Sequence, residues 1–152
     1  MKQNERNFTA YCGLYCGDCI RYKSRASDVA NELMKEIDKF HFTEYANVKR
    51  THTKEFEKFD SFISTLRAIS DIKCNIPCRL GGDGCGGKCE IIKCVKDKAF
   101  EGCWECNSFK KCEKLDFLKP FHGDSPLINL RKIKEFGMDN WVKHREKCYQ
   151  WL

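Results

Sequence analysis

The chain has 152 residues, of which 41% are hydrophobic, and a formal net charge of +6. This length predicts a single domain over residues 1–152, and no apolar run approaches the roughly 20 residues of a transmembrane helix. The first residues, MKQNERNF, lack the apolar segment of a secretory signal. The sequence therefore predicts a cytoplasmic protein that does not contact membranes.

Cysteine is the residue type that departs most from average composition, with 12 in the chain. A disulfide framework requires an oxidising compartment, whereas clustered thiols in a reducing cytosol are more often metal ligands or redox groups. Because the sequence predicts a cytoplasmic protein, we expect most of these cysteines to bind metal. Disulfides are the alternative interpretation.

The positive charge is weak support for a nucleic-acid partner because metal-bound cysteines are thiolates. A zinc ion with four thiolates carries a net charge of −2, so two such sites would lower +6 to about +2 and three to about zero. The basic residues Arg21, Lys23 and Arg25 beside the first cysteines are typical of a solvated face. The sequence does not favour nucleic acid, whereas a protein partner stays open.

The first cysteine cluster is YCGLYCGDC, in which Cys12, Cys16 and Cys19 are spaced C-x3-C-x2-C. Zinc takes four thiolates in a tetrahedron, so this cluster is one ligand short and needs a fourth from elsewhere in the chain or from outside. The same spacing occurs in radical S-adenosylmethionine enzymes. Those enzymes build a partial α/β barrel, and this chain shows no alternating strand and helix pattern that would supply one.

Two amphipathic helices are predicted between the cysteine clusters. Residues 28–48 follow Ser27, a candidate cap, and carry apolar side chains at three- and four-residue intervals, with a break near His41. Residues 53–70 follow Thr53, which could cap the second helix. The apolar stripe of this second helix is assigned to the core: Phe56, Phe59, Phe62, Ile63, Leu66 and Ile69.

Residues 72–112 form a loop-rich cysteine module, because Pro77 and the run GGDGCGG at 81–87 exclude a long helix. Eight cysteines suit two ions with four ligands each. Their spacing is C-x3-C-x6-C-x3-C-x4-C-x8-C-x2-C-x5-C: Cys74, Cys78, Cys85, Cys89, Cys94, Cys103, Cys106 and Cys112.

The motif CWEC gives the clearest ligand set in this module. Its cysteines, Cys103 and Cys106, have the spacing of a structural zinc half-site, and Cys94 and Cys112 flank it as completing ligands. A thioredoxin-like redox pair would need a βαβ context, which is not predicted. A second ion is assigned to the remaining four, although one of them could instead complete the first cluster: Cys74, Cys78, Cys85 and Cys89.

Three further helices are predicted after the module, at residues 112–118, 126–136 and 139–151. The second has Ser125 as a candidate cap and Gly137 as its stop. The third offers four side chains to the core: Trp141, Val142, Cys148 and Trp151. Cys148 is left unassigned as a ligand, and none of the four histidines has zinc-type spacing: His41, His52, His122 and His144.

Several motifs together resemble the domain-of-unknown-function family 3795, a cysteine-rich prokaryotic group regarded as candidate metal-binding proteins. They are YCGLYCGDC, CGGKCEIIKC, CWECNSFKKCEKL and IKEFG. The spacing between Cys74 and Cys78 and the lack of a proline before Cys112 depart from the family pattern. The resemblance implies no activity, and it implies metal ligands at eight positions: Cys12, Cys16, Cys19, Cys89, Cys94, Cys103, Cys106 and Cys112.

Taken together, these patterns predict a mainly α domain whose helices pack on an irregular, loop-rich cysteine module, residues 72–112 joined by 12–19. Two or three metal ions are expected to stabilise it, with structural zinc as the first choice. Such a protein is expected to be a binding or adaptor module and not an enzyme. The alternative is an iron–sulfur protein for electron transfer or for redox or oxygen sensing.

Overall fold

The computed structural model describes residues 2–85 and 87–146. Its helices confirm the predicted mainly α class, since the described residues contain no strand and only one isolated β-bridge, between Thr9 and Tyr15. The α-helices of this part of the chain are α1 (Lys2–Phe8), α2 (Ile20–Lys23), α3 (Ala26–Lys39), α4 (Phe42–Lys49), α5 (Phe59–Asp71), α6 (Glu90–Asp97), α7 (Lys119–His122) and α8 (Ser125–Phe136).

The chain divides into two compact units, where length alone predicted a single domain. One is formed by Met1–Tyr22 with Asn75–Leu152 and is called the cysteine unit, because ten of the described cysteines belong to it. The other is Lys23–Cys74 and is called the helical unit. None of the described helices is both long enough and apolar enough to cross a membrane.

The helical unit contains α3, α4 and α5. The helix predicted over 28–48 is two helices, because His41 has a left-handed backbone (φ 50°, ψ 41°) that ends α3 and precedes α4. Ser27 is not a cap: it lies inside α3, and its buried hydroxyl donates to the Ile69 carbonyl at 2.7 Å. The buried core of this unit is Ala30, Ile37, Ala46, Phe59 and Leu66.

The second predicted helix begins as a 3-10 helix, Lys54–Lys58, and only then becomes α5. Thr53 occupies the N-cap position, but its side chain makes no capping hydrogen bond. The predicted apolar stripe is buried at two positions, whereas Phe62 is 45% exposed. The stripe is therefore core in its centre and solvent-facing at one edge.

The cysteine unit is built around α6, α8 and a series of short 3-10 helices. α8 coincides with the predicted helix 126–136 and ends at Gly137 (φ 72°), whose N–H donates to the Ile133 carbonyl at 2.9 Å. Ser125 is the first helical residue and not the cap. The buried core of this unit is Ile91, Val95, Trp104, Phe109, Leu115, Leu118, Leu130, Ile133, Met138, Trp141 and Val142.

The prediction for the C-terminal segment is wrong in its described part. Residues 139–146 form only a short 3-10 helix, Trp141–His144, because Arg145 has an extended backbone that ends the helical turn. Trp141 and Val142 are buried as expected, whereas Cys148 and Trp151 lie outside the described residues. The short helix predicted over 112–118 is a 3-10 helix, Glu113–Leu118, that continues into α7.

Candidate metal centre

The first cysteine loop is anchored to the core by Thr9. Trp141, which is fully buried, donates from Nε1 to the Thr9 hydroxyl at 3.1 Å, and that hydroxyl in turn donates to the Glu5 carbonyl. Buried polar groups are costly unless they are hydrogen-bonded, and this chain of bonds satisfies them. The loop that carries Cys12 therefore starts from a fixed position.

Cys12 itself lies in a tight turn closed by main-chain hydrogen bonds. Ala10 N–H donates to the Leu14 carbonyl at 2.8 Å, and Gly13 N–H donates to the Ala10 carbonyl at 3.0 Å. Gly13 has φ 86°, which disfavours a side chain. A Cβ atom at this position would also lie 2.9 Å from the Pro126 carbonyl oxygen on α8.

The two C-x2-C motifs of the unit have nearly the same backbone. Cys16–Asp18 and Cys103–Glu105 are each one 3-10 turn, and in each the N–H of the second cysteine donates to the carbonyl of the first at 3.1 Å. The second cysteines have matching dihedral angles, φ −75° and ψ 125° for Cys19 and φ −77° and ψ 125° for Cys106. Residues three apart lie on one side of a 3-10 helix, so each turn presents its two thiols together.

These two turns are tied to each other through the first loop. Cys103 N–H donates to the Tyr11 carbonyl at 2.9 Å, so the residue before Cys12 is bonded directly to the start of CWEC. The hydrogen bond joins segments more than 90 residues apart. Spacing alone could not reveal this pairing.

Arg79 ties a third cysteine loop to the same place. Its Nε donates to the Thr9 carbonyl at 2.9 Å and its Nη2 to the Glu101 carbonyl at 3.0 Å. The guanidinium also lies over the Tyr11 ring, 4.7 Å from the centroid. Burial lowers the pKa of Arg79 below its ordinary value. This side chain thus fixes Cys78, its neighbour in sequence, beside both C-x2-C turns.

The glycine run of the module brings Cys85 and Cys89 into the same unit. Arg21 donates to the Cys85 carbonyl, and Cys89 N–H donates to the Asp83 carbonyl at 3.2 Å. Gly84 has φ 91°, and a Cβ atom there would lie 2.6 Å from the Cys89 Cβ. The loop therefore closes tightly on Cys89.

A first set of thiols, called the N-terminal thiol group, consists of Cys12, Cys16, Cys78 and Cys85. Burial raises the pKa of Cys12, and the nearby thiolates of Cys78 and Cys85 raise it further. Cys16 donates a hydrogen bond to Cys78, which raises the pKa of Cys16 and lowers that of Cys78 to about 7. Segments that are more than 60 residues apart in sequence thus bring their thiols together.

A second set, called the CWEC thiol group, consists of Cys94, Cys103, Cys106 and Cys112. Burial raises the pKa of Cys103 to about 12, and the charges of Cys112, Cys94, Cys106 and then Cys89 raise it further. Cys106 lies 3.3 Å from the Ser108 hydroxyl, and this hydrogen bond lowers its pKa. The four cysteines that the sequence assigned to one ion are therefore neighbours, with Cys89 close to them.

Two predicted ligands are not placed in either group. Cys19 shares its turn with Cys16, and Cys74 is the last residue of the helical unit. No disulfide joins two of the described cysteines. Within residues 2–85 and 87–146, no set of three or more Cys, His, Asp or Glu side chains is arranged so that it could hold a metal ion. The ligand assignments therefore stay predictions.

Sequence reasoning missed the charged side chains that position the cysteines. Besides Arg79, an ion pair joins Arg145 and Asp18 with Nε–Oδ2 and Nη2–Oδ1 distances of 2.5 and 2.9 Å, and both side chains are less than 20% exposed. Asp18 lies inside the CGDC turn, so the pair binds this turn to the end of the core. The only sequence signal was that Arg79 and Asp18 directly adjoin cysteines.

The fold and these turns define a small, mainly helical protein whose cysteines lie on short turns around one hydrophobic core. The family model described as "Protein of unknown function (DUF3795)" matches residues 8–117, and the chain belongs to this family. The match includes every cysteine of both thiol groups. No curated protein and no solved structure matches the sequence.

Proposed function

We propose that the cysteine unit binds zinc as a structural metal, with one ion at the N-terminal thiol group and one at the CWEC thiol group. The observation that carries this proposal is the arrangement around Cys103, whose neighbouring charges are all cysteine sulfurs. Sulfur donors favour zinc or iron–sulfur clusters over calcium and magnesium, which prefer oxygen. The donor set therefore fits zinc.

Electrostatics supports the same proposal. Thiolates that lie close together raise one another's pKa, as Cys12 and Cys103 show, and a divalent cation would offset this repulsion. The paired 3-10 turns at Cys16 and Cys103 each offer two thiols on one side, which is what a four-thiolate site requires from each half. Cys19 and Cys89 adjoin the two groups as further candidate ligands.

The biological role we propose is that of a binding or adaptor module in the cytoplasm, where thiols stay reduced. A structural ion would hold together loops that are remote in sequence, such as those of Cys12 and Cys78, and so stabilise a surface for a protein partner. The charge argument for nucleic acid weakens further with each four-thiolate site. We assign no catalytic residue.

Metal and acid-labile sulfide analysis of the full chain, purified without oxygen, tests this proposal. We expect about two zinc ions per chain and no sulfide, given four thiolates for each ion. Iron with a matching amount of sulfide would contradict structural zinc in favour of the iron–sulfur alternative. Protein without any metal would contradict both.

A further inference from the structure

The cysteine unit has an open cavity of about 450 Å³ whose wall includes Cys85 and Cys89. This volume is within the range of roughly 300–1,000 Å³ that small-molecule sites occupy. Cys85 is exposed, whereas the other described cysteines are at least half-buried. A small molecule in this cavity would therefore meet thiols directly.

The cavity lies against both thiol groups. Cys85 belongs to the N-terminal thiol group, since its charge acts on Cys12, and Cys89 acts on Cys103 of the CWEC thiol group. A purely structural zinc site is closed to ligands from solution, whereas a site with an open position can accept one. The exposure of Cys85 is the feature that a closed structural site does not require.

Charged side chains of both signs surround the same cavity. Lys88 and Lys114 contribute two cations, and Glu90 and Glu113 contribute two anions. All four are exposed, and none of them takes part in an ion pair within the described part of the chain. A zwitterion would offer a carboxylate to the lysines and an ammonium group to the glutamates, as electrostatic complementarity requires.

Phe117 supplies an apolar wall to the cavity, although its side chain is 54% exposed. Exposed aromatic rings gain free energy when a ligand covers them, by about 25 cal/mol for each Å² of apolar surface removed from water. Phe117 also stands apart from the charged groups in its chemistry. It would contact the carbon skeleton of a ligand whose polar ends reach the lysines and glutamates.

We propose that this cavity binds a small zwitterionic thiol of the amino-acid class. Its carboxylate contacts Lys88 and Lys114, its ammonium group contacts Glu90 and Glu113, and its sulfur lies beside Cys85 and Cys89. There the sulfur adds a donor to the proposed metal-binding set, so this inference rests on the proposed function. The cavity is thus a ligand site next to the thiol groups and not only a surface depression.

Spectroscopy of the full chain loaded with cobalt(II) in place of zinc tests this inference, because cobalt bound by thiolates absorbs visible light. L-Cysteine is the probe. Serine is the matched control without a thiol, and 2-mercaptoethanol is the control without the zwitterion. We expect L-cysteine to shift the spectrum saturably at concentrations roughly tenfold lower than 2-mercaptoethanol, equivalent to about 1.4 kcal/mol, and serine to leave it unchanged.

Two results would overturn the inference while leaving the proposed function intact. One is a cobalt–thiolate spectrum that L-cysteine does not change, and the other is an equal response to both thiols. Cobalt that leaves the protein on gel filtration after L-cysteine is added also counts against it. Absence of thiolate absorption before any ligand is added would instead contradict the proposed metal binding.

Two pairs of variants keep the test independent of the cysteines. Phe117→Ala is expected to raise the half-saturating L-cysteine concentration on the order of tenfold, whereas Phe121→Ala, 59% exposed and outside the cavity, leaves it unchanged. Lys114→Gln is expected to reduce the preference for L-cysteine over 2-mercaptoethanol, and Lys110→Gln is its control outside the cavity. Equal effects within either pair would contradict the assigned site.

Discussion

Arg79 donates a 2.9 Å hydrogen bond from Nε to the main-chain carbonyl of Thr9, 70 residues earlier in the chain. Thr9 is fully buried and is also bonded to Trp141, so this carbonyl lies at the edge of the core. The same guanidinium bonds Glu101 and lies over Tyr11. One side chain therefore holds three cysteine-bearing loops in place.

Replacement of Arg79 tests this role. Arg79→Ala leaves the carbonyls of Thr9 and Glu101 without their donor and is expected to lower the free energy of unfolding by about 2–3 kcal/mol, since hydrogen bonds to charged groups are stronger than neutral ones. Arg131→Ala, on the exposed face of α8, is the matched control and should change it by about 0.5 kcal/mol or less. Denaturant unfolding measures both, and equal losses would contradict the role of Arg79.

Gly13 provides a test of the turn that carries Cys12. Gly13→Ala is expected to cost about 2 kcal/mol or more, because the backbone has φ 86° and the new Cβ would lie 2.9 Å from the Pro126 carbonyl oxygen. Gly81→Ala also has a positive φ of 106° but meets no atom within 4 Å. It should cost only about 1 kcal/mol. Thermal unfolding of both variants separates steric contact from backbone strain.

The ion pair between Asp18 and Arg145 is expected to stabilise the CGDC turn. Asp18→Asn removes a carboxylate that accepts two hydrogen bonds from a largely buried guanidinium, and we expect a loss of about 2–3 kcal/mol. Asp116→Asn breaks an exposed pair with Lys119 and should cost about 0.5 kcal/mol or less. A similar unfolding midpoint for the two variants would show that the Asp18 pair contributes nothing special.

Removal of metal by a chelator is expected to affect the two units differently. The proposed ligands lie in the cysteine unit, whereas the core of the helical unit consists of Ala30, Ile37, Ala46, Phe59 and Leu66. Amide hydrogen exchange should therefore rise first over residues 90–142, while α3 and α5 keep their protection. Simultaneous loss of protection in both units, or no change in either, would contradict this expectation.

The sequence predicted those features that depend on local spacing. The apolar stripe and Gly137 located α8, and the C-x2-C spacing together with flanking cysteines located the CWEC thiol group around Cys103. It also placed Trp141 in the core. These features were readable because helical period and short cysteine loops are properties of neighbouring residues.

Contacts between remote segments could not be read in this way. The bond from Arg79 to Thr9, the pair of Asp18 with Arg145 and the hydrogen bond from Cys16 to Cys78 join residues that are 60 or more positions apart. Several charged residues could have formed each pairing with equal local logic. The break at His41 was foreseen only in position, since its cause is a left-handed backbone that a histidine rarely adopts.

The number of metal ions bound by the full chain and by two cysteine variants tests the central claim most directly. Native mass spectrometry of anaerobically purified protein should show two zinc ions in the wild type. Cys12→Ser and Cys103→Ser should each lose one of them, because these residues belong to different thiol groups. A wild-type mass equal to that of the bare chain, or variants that keep both ions, would contradict the account.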